Sequence, residues 1–333
     1  MKNTEPTLIQ TGNDQPAKSK TKQFYDDVII GLRSAPKYLN SKYFYDANGD
    51  KLFQELMNCE EYYPTRCELE IFSEKTADIC GTIIGEGDAF DLIELGAGDA
   101  TKSTCLLQYL LGQQADFSYL PIDISENVIA YLNVALPVTL PGVQITGLNG
   151  EYFEMLEKAA SISNKRKVVL FLGSNIGNMQ INEAESFCRE LRNHLAAGDM
   201  ALIGFDLKKN PKTVLAAYND KGGITKQFNL NLLERINREL NADFNVSQFD
   251  HYPIYDPESG ACKSYLISLT DQQIVINGTE TIHFLKDECI FMEISQKFTI
   301  AQTDKMAKNT SFKPVHHFLD SRKWFTDAIW LAD

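Results

Sequence analysis

The chain has 333 residues, 44% hydrophobic and 11% aromatic, enough to bury the core of one large domain or two ordinary ones. A formal charge of −13 excludes overall attraction to a phosphate backbone, which rests on Lys and Arg displacing counterions, and favours a small neutral or zwitterionic substrate. The longest apolar runs, such as Val168 to Leu172, fall far short of the roughly 20 residues that cross a bilayer, and no signal-peptide core stands near the N-terminus. The expectation is a cytoplasmic monomer with no membrane or nucleic-acid partner. Cys59, Cys67, Cys80, Cys105, Cys188, Cys262 and Cys289 form no CxxC pair, so neither a metal site nor a disulfide framework is expected.

In chain order, residues 1–22 are polar without apolar period and read as a disordered arm. Thr65 and Glu68 have capping-box spacing and predict a helix from Arg66 carrying Leu69, Ile71 and Phe72. Strands follow at Phe90 to Leu95, Phe117 to Ile122, Val143 to Leu148, Val168 to Leu172 and Met200 to Phe205. Helices alternate with them from about Lys102 to Leu111, after Ser125, and from Asn182 to near Gly198. That alternation implies a parallel, doubly wound α/β sheet. After Asp206 come polar helical stretches, then strands around Tyr265 to Leu269, Gln273 to Ile276 and Phe291 to Phe298, which mark a second unit. The tail, with Phe318, Trp324, Phe325, Ile329 and Trp330, reads as a final helix and strand.

The strand Asp91 to Leu95 runs straight into Gly96-Ala97-Gly98-Asp99-Ala100-Thr101-Lys102. Glycines at the carboxyl edge of a doubly wound sheet let the backbone approach a nucleotide cofactor. A dinucleotide fingerprint would want a third glycine where Thr101 stands, which weakens an NAD reading. Glu94 before Gly-x-Gly, with Asp123 closing the next strand, resembles instead the first two motifs of class I methyltransferases, where the second carboxylate accepts both ribose hydroxyls. A plain tight turn at the glycines, and an N-cap role for Asp123, remain the ordinary alternatives.

Further segments carry a fuller resemblance: Lys42 to Asp46, Glu61 to Arg66, Phe171 to Asn178, Asn237 to Phe244 and Phe291 to Phe298. With the glycine loop they resemble the histidine-specific N-alpha-methyltransferases of ergothioneine biosynthesis, over about residues 37 to 333. The resemblance implies a class I methyltransferase Rossmann-like doubly wound sheet with a second, inserted α+β substrate-binding domain. The methyltransferase domain would hold 66–208 and 298–333, the substrate domain 23–65 and 209–297. It implies S-adenosylmethionine as cofactor, held by Glu94, Gly96, Gly98, Lys102, Asp123, Gly150, Glu151, Tyr152, Gly173 and Ser174. It also implies L-histidine as substrate, methylated three times on its α-amine to hercynine, with Tyr45, Tyr62, Asn178, Tyr218, Glu293 and Ser295 around it.

Glu293 and Ser295 stand two apart on a predicted strand and share a face, where a carboxylate and a hydroxyl can read the two imidazole nitrogens. On the residues alone, Phe291, Glu293, Ser295 and Lys297 equally form a solvated face opposite Met292, Ile294 and Phe298. Likewise Asn178 is an ordinary turn residue, the tyrosines ordinary core residues, and Lys102 a solvated first-turn charge. An aromatic wall suits a product that has become a permanent cation. The sequence identifies no proton acceptor; Tyr45 is a candidate. Ser264 stands where the family leads one to expect a Met in the ring pocket, and Glu151 where relatives tend to show Asp. His194 lies near a helix end, and the other histidines read as surface or packing residues.

Overall fold

A computed structural model describes residues 15–85 and 88–333. Its first half runs α1 (Gln15–Arg33), β1 (Lys37–Tyr38), α2 (Ala47–Met57), α3 (Tyr63–Glu74), α4 (Thr76–Ile84), β2 (Phe90–Leu95), α5 (Thr101–Gly112), β3 (Phe117–Asp123), α6 (Glu126–Thr139), β4 (Leu148–Asn149) and α7 (Tyr152–Ile162). There follow β5 (Arg166–Phe171), α8 (Ile181–Asn193), β6 (Met200–Asp206), α9 (Pro211–Ala217), α10 (Ile224–Leu240), β7 (Phe249–Tyr255), β8 (Ala261–Ser268), β9 (Gln272–Ile276), β10 (Glu280–Phe284), β11 (Cys289–Gln296), α11 (Ile300–Asn309), β12 (Phe312–Leu319) and β13 (Phe325–Ala332). Residues 1–14 of the expected arm lie outside the described residues, and from Gln15 the chain is helical where disorder was expected.

The chain divides into two compact units. Among the described residues, one holds those through Gln54, Gly223–Tyr252 and Ser264–Glu293; the other holds those from Glu55 to Gly222, Pro253–Lys263 and Ile294–Asp333. In the second, the sheet order is β12-β13-β6-β5-β2-β3-β4. The strands β4, β3, β2, β5 and β6 are mutually parallel, and β13 inserts antiparallel beside β6. Every residue of β2 is buried, as a central strand covered on both faces requires. Its two parallel neighbours, β3 and β5, lead away in opposite directions, so the topological switch point lies at the carboxyl end of β2.

Residues 55–65, 209–222, 253–263 and 294–297 group with this sheet unit, unlike the expected 23–65 and 209–297 assignment. Packing explains the difference: Tyr63, Val214, Ala217, Tyr218 and Cys262 are buried in one cluster with Phe90, Leu92 and Leu170 of the sheet. Other corrections are local. The expected strand Val143 to Leu148 shrinks to β4 and a single bridge at Ile145; between them the Gly147 N–H turns aside and donates to the Asn133 side chain at 3.1 Å. The α8 helix opens at Gln180 with a capping box to Glu183, two residues earlier than Asn182. The tail contains no helix after β12 begins: β12 and β13 form an antiparallel pair, and the eight-residue burial of Phe325 to Ala332 is that of an interior strand. No helix of the described residues is long and apolar enough to cross a membrane.

The other unit has its own core, in which Phe24, Val28 and Leu32 of α1 pack with Phe228, Leu232 and Ile236 of α10 and with Leu266, Ile290 and Met292. The spacing of those helical residues, three or four apart, gives each helix one apolar face. A small sheet of order β1-β11-β8-β7 and the hairpin β9–β10 complete the strands; β7, β8 and β11 each carry residues assigned to both units.

Candidate active site

The turn after β2 is built from backbone conformations that side chains resist. Gly96 and Gly98 have φ of 72° and 54°, and Ala100, which opens α5, has φ of 54°. A Cβ at Gly96 would also lie 2.8 Å from the Tyr152 hydroxyl, so this position has neither the dihedral nor the space for a side chain. The Gly96 N–H donates to the Ile122 carbonyl at 2.8 Å, which ties the turn to the end of β3.

Asp123 organises the neighbouring loops. Its carboxylate accepts the Ser125 N–H at 2.8 Å and the Gly98 N–H at 3.2 Å, one on each oxygen. Its carbonyl accepts the Gly150 N–H at 3.1 Å and the Asn149 side-chain amide at 2.9 Å. Each carboxylate oxygen keeps acceptor capacity for hydroxyls of a ligand. Glu151 caps α7 and Tyr152 begins it; burial, then the charges of Asp123 and Glu151, push the Tyr152 phenol up to about 12. These groups fit a nucleoside: a glycine turn, a carboxylate at the switch point and a half-buried aromatic beside it.

Glu94 lies beneath the turn, 3% exposed, and accepts the Tyr119 hydroxyl. Burial pushes its carboxyl up to about 7 against the opposing hydrogen bonds of Tyr119 and Ser103. A carboxyl raised in the folded state stabilises the fold while protonated: the contribution is full below the ordinary value of 4.5 and is lost as pH rises through about 7. Glu94→Gln should therefore remove up to ~3 kcal/mol of the wild-type loss of stability between about pH 5 and about pH 8, read from denaturant midpoints of the ligand-free protein. An unchanged pH slope in the variant would reject the assignment.

Lys102 is no solvated charge. Its ammonium pairs with Glu68 at 2.5 Å, and the other Glu68 oxygen accepts the Gly173 N–H at 2.7 Å. Burial opposes the Lys102 charge, but Glu68 and Glu94 carry its pKa above the ordinary value. Thus Glu68 is not the capping residue its spacing with Thr65 suggested. The α3 helix starts at Tyr63, with Pro64 in its first turn, which leaves Thr65 inside the helix and turns Glu68, 1% exposed, toward the loops after β2 and β5. Beside it Asp327, fully buried on β13, is pushed well above the carboxylate range by burial and then by the Glu68 charge. Gly204 makes room for both carboxyls: a Cβ there would lie 2.5 Å from Glu68 Oε1 and 3.2 Å from Asp327 Oδ1.

The loop after β5 turns through Gly173 and Ser174, both at positive φ, into a short 3-10 helix Asn175–Asn178. Ser174 is buried and its hydroxyl accepts the Asp206 N–H at 3.1 Å; Asn178 is exposed at the end of the turn. In the same unit the Tyr62 and Tyr218 rings meet edge to face at 6.4 Å.

Ser295 is 7% exposed and Lys297 fully buried, so this end of the strand is not a solvated face. Lys297 Nζ donates to the Tyr218 hydroxyl at 2.7 Å and the Ser295 hydroxyl at 2.8 Å, and pairs with Asp206 at 2.7 Å. Asp206 also pairs with Lys209 and accepts the Tyr63 hydroxyl at 2.8 Å. Burial would raise the Asp206 carboxyl, yet the two lysines hold it below the usual range. Sequence reading missed this network: Asp206, Lys209 and Lys297 are polar residues far apart in the chain, and only Lys297, in a strand whose neighbours alternate, carried a hint.

In the other unit Glu293 is half-buried and accepts the Ser264 hydroxyl at 3.2 Å. Ser264, the residue found in place of an expected Met, thus fixes one oxygen of that carboxylate. Tyr45, 45% exposed, rests edge-on against Phe53 and Phe228 at 5.5 and 5.7 Å.

Comparison with known proteins agrees with this architecture. A family described as histidine-specific methyltransferase, SAM-dependent, matches residues 24–332. The histidine N-alpha-methyltransferase of Mycolicibacterium smegmatis is 31% identical over 320 residues, covering 96% of each chain. That of Mycobacterium tuberculosis is 33% identical over 82% of this chain and 83% of its own. An L-tryptophan methyltransferase of Psilocybe serbica is 26% identical over 89% of each. The family match spans both units of the fold and all the loops described above, and the chain belongs to the histidine-specific, SAM-dependent methyltransferases.

Proposed function

We propose that the chain methylates the α-amine of L-histidine, three times in succession, to give hercynine. The reading is supported by similarity over 96% of the chain to a histidine N-alpha-methyltransferase. The observation that carries the substrate is on β11: a half-buried carboxylate at Glu293 and, two residues on, a buried hydroxyl at Ser295. A neutral imidazole offers one N–H and one lone pair, and this pair of groups supplies an acceptor and a hydroxyl for them.

S-adenosylmethionine, when bound, supplies an electrophilic methyl on a sulfonium. Asp123 is proposed to take the ribose hydroxyls on the acceptor capacity its two backbone contacts leave. Gly96 and Gly98 let the backbone approach, Gly150, Glu151 and Tyr152 flank the adenine, and Lys102 with the Gly173–Ser174 turn receives the amino-acid end. Glu94 supports that turn from below. Asn178 binds polar groups of the substrate's amino-acid moiety. Tyr62 and Tyr218 present aromatic faces, which hold a methylated ammonium by cation–π attraction after its N–H donors are gone. Tyr45 is the proposed acceptor of the amine proton. Alignment of the amine and exclusion of water are the main contributions required of the protein, since the transfer is a direct displacement.

The test is a methylation assay with labelled cofactor across the twenty amino acids, with mass and fragmentation of the product. Histidine should gain three methyls, all on the α-nitrogen. Label on tryptophan and none on histidine would overturn the substrate, and a ring-methylated product would overturn the position.

A further inference from the structure

The Ser295 hydroxyl has one proton and two lone pairs. Lys297 Nζ reaches its oxygen at 2.8 Å and the Tyr218 hydroxyl reaches it at 2.6 Å. An ammonium can only donate, and a phenol is a better donor than an aliphatic hydroxyl, so both contacts fill lone pairs of Ser295. The Ser295 proton is left without a place in this network and can only point outward as a donor.

Lys297 is held so that it cannot relax the arrangement. Its three protons are matched by three acceptors: the Tyr218 hydroxyl at 2.7 Å, Ser295 Oγ, and Asp206 Oδ2 at 2.7 Å. The side chain is fully buried, and its ammonium lies 4.7 Å from the Tyr218 ring centroid. Nothing in a mere packing role would require a buried cation whose every proton is committed, since burying a charge is costly unless it is paired.

We propose that Lys297 is a positioning residue for substrate specificity: by occupying a lone pair of Ser295 it commits that hydroxyl to donate, so that the site selects a ring bearing an acceptor nitrogen. The inference rests on the proposed role of Ser295 against the imidazole. A ring with a C–H in place of the acceptor nitrogen leaves a buried donor unpaired, which costs more than the lost bond alone. With Lys297 gone, Ser295 is free to accept as well as donate, and the discrimination relaxes.

The test uses the full chain with S-adenosylmethionine and two substrates, L-histidine and a pyrrolylalanine, which keeps a ring N–H but lacks the acceptor nitrogen. Lys297→Met leaves Asp206 paired with Lys209, and unchanged cofactor affinity will report that the fold is intact. In this variant the KM for histidine should rise about tenfold with kcat within about threefold, and the preference for histidine over the pyrrole should shrink by a similar factor. Ser295→Ala should raise the histidine KM by itself, and adding Lys297→Met to it should change the KM little further, because the hydroxyl being oriented is absent. Additive losses in the double variant, or an unchanged ring preference in Lys297→Met, would overturn the inference and leave Lys297 a structural residue. An unchanged histidine KM in Ser295→Ala would instead overturn the ring-binding role on which it rests. If Lys297→Met fails to fold, Tyr218→Phe removes the other donor to Ser295, and the same loss of ring preference is expected; its absence counts against the inference.

Discussion

Glu293→Ala should raise the KM for L-histidine by about a hundredfold while cofactor affinity changes less than about threefold. The size follows from the chemistry: a hydrogen bond to a charged acceptor contributes about 1.5–3 kcal/mol, and its loss leaves a ring N–H facing a site that once held a carboxylate. Ser264 sharpens the expectation, because its hydroxyl at 3.2 Å already fixes one oxygen of Glu293 and so holds the carboxylate in place. Glu293→Gln should lie between wild type and alanine, since an amide oxygen still accepts but without charge. Asp123→Ala should give the opposite profile, with cofactor affinity lost and histidine KM little changed. Steady-state kinetics with calorimetric cofactor binding separates the two. Equal losses of both affinities in Glu293→Ala would mean that the residue supports the fold instead of the ring.

How far the sequence carries the reader depends on whether a feature is local. The glycine turn, the strands β2, β3, β5 and β6 and the acidic residue closing β3 are each written in a few consecutive residues, and their period and composition identify them. Features assembled from distant segments are different. Thr65 and Glu68 satisfied a local rule, but Pro64 started the helix a turn earlier and tertiary partners took the Glu68 carboxylate. The second strand of the tail was readable from its apolar run, whereas its partner β12, with His316 exposed and His317 half-buried at its edge, carried no strong pattern. The ionic network of Asp206, Lys209 and Lys297 joins three segments that nothing in the spacing connects. Buried charges of this kind are the hardest to find in a sequence, because the same letters usually mark solvent-facing positions.

Glu68 gives the largest expected effect on stability, and its pattern across variants is diagnostic. Glu68→Ala removes the partner of the Gly173 N–H and the main counter-charge of Lys102, so a loss of about 2–4 kcal/mol is expected, with weaker cofactor binding as the loop after β5 loosens. The loss should stop short of the full cost of an orphaned half-buried cation because of Asp327. Burial and the Glu68 charge push that carboxyl well above the carboxylate range, toward its neutral form; once Glu68 is neutral, Asp327 ionises more readily and can stand opposite Lys102 in its place. Three consequences follow from this exchange. Asp327→Asn alone should be nearly neutral, since it replaces a protonated acid with an amide of the same size. Glu68→Gln alone should be moderate, because its amide oxygen still accepts the Gly173 N–H and Asp327 supplies the charge. Combining the two should cost clearly more than the sum of the parts, by about 1–3 kcal/mol, since Lys102 then lacks both carboxylates. Denaturant midpoints at neutral pH measure all four proteins, and simple additivity would show that Asp327 does not substitute for Glu68.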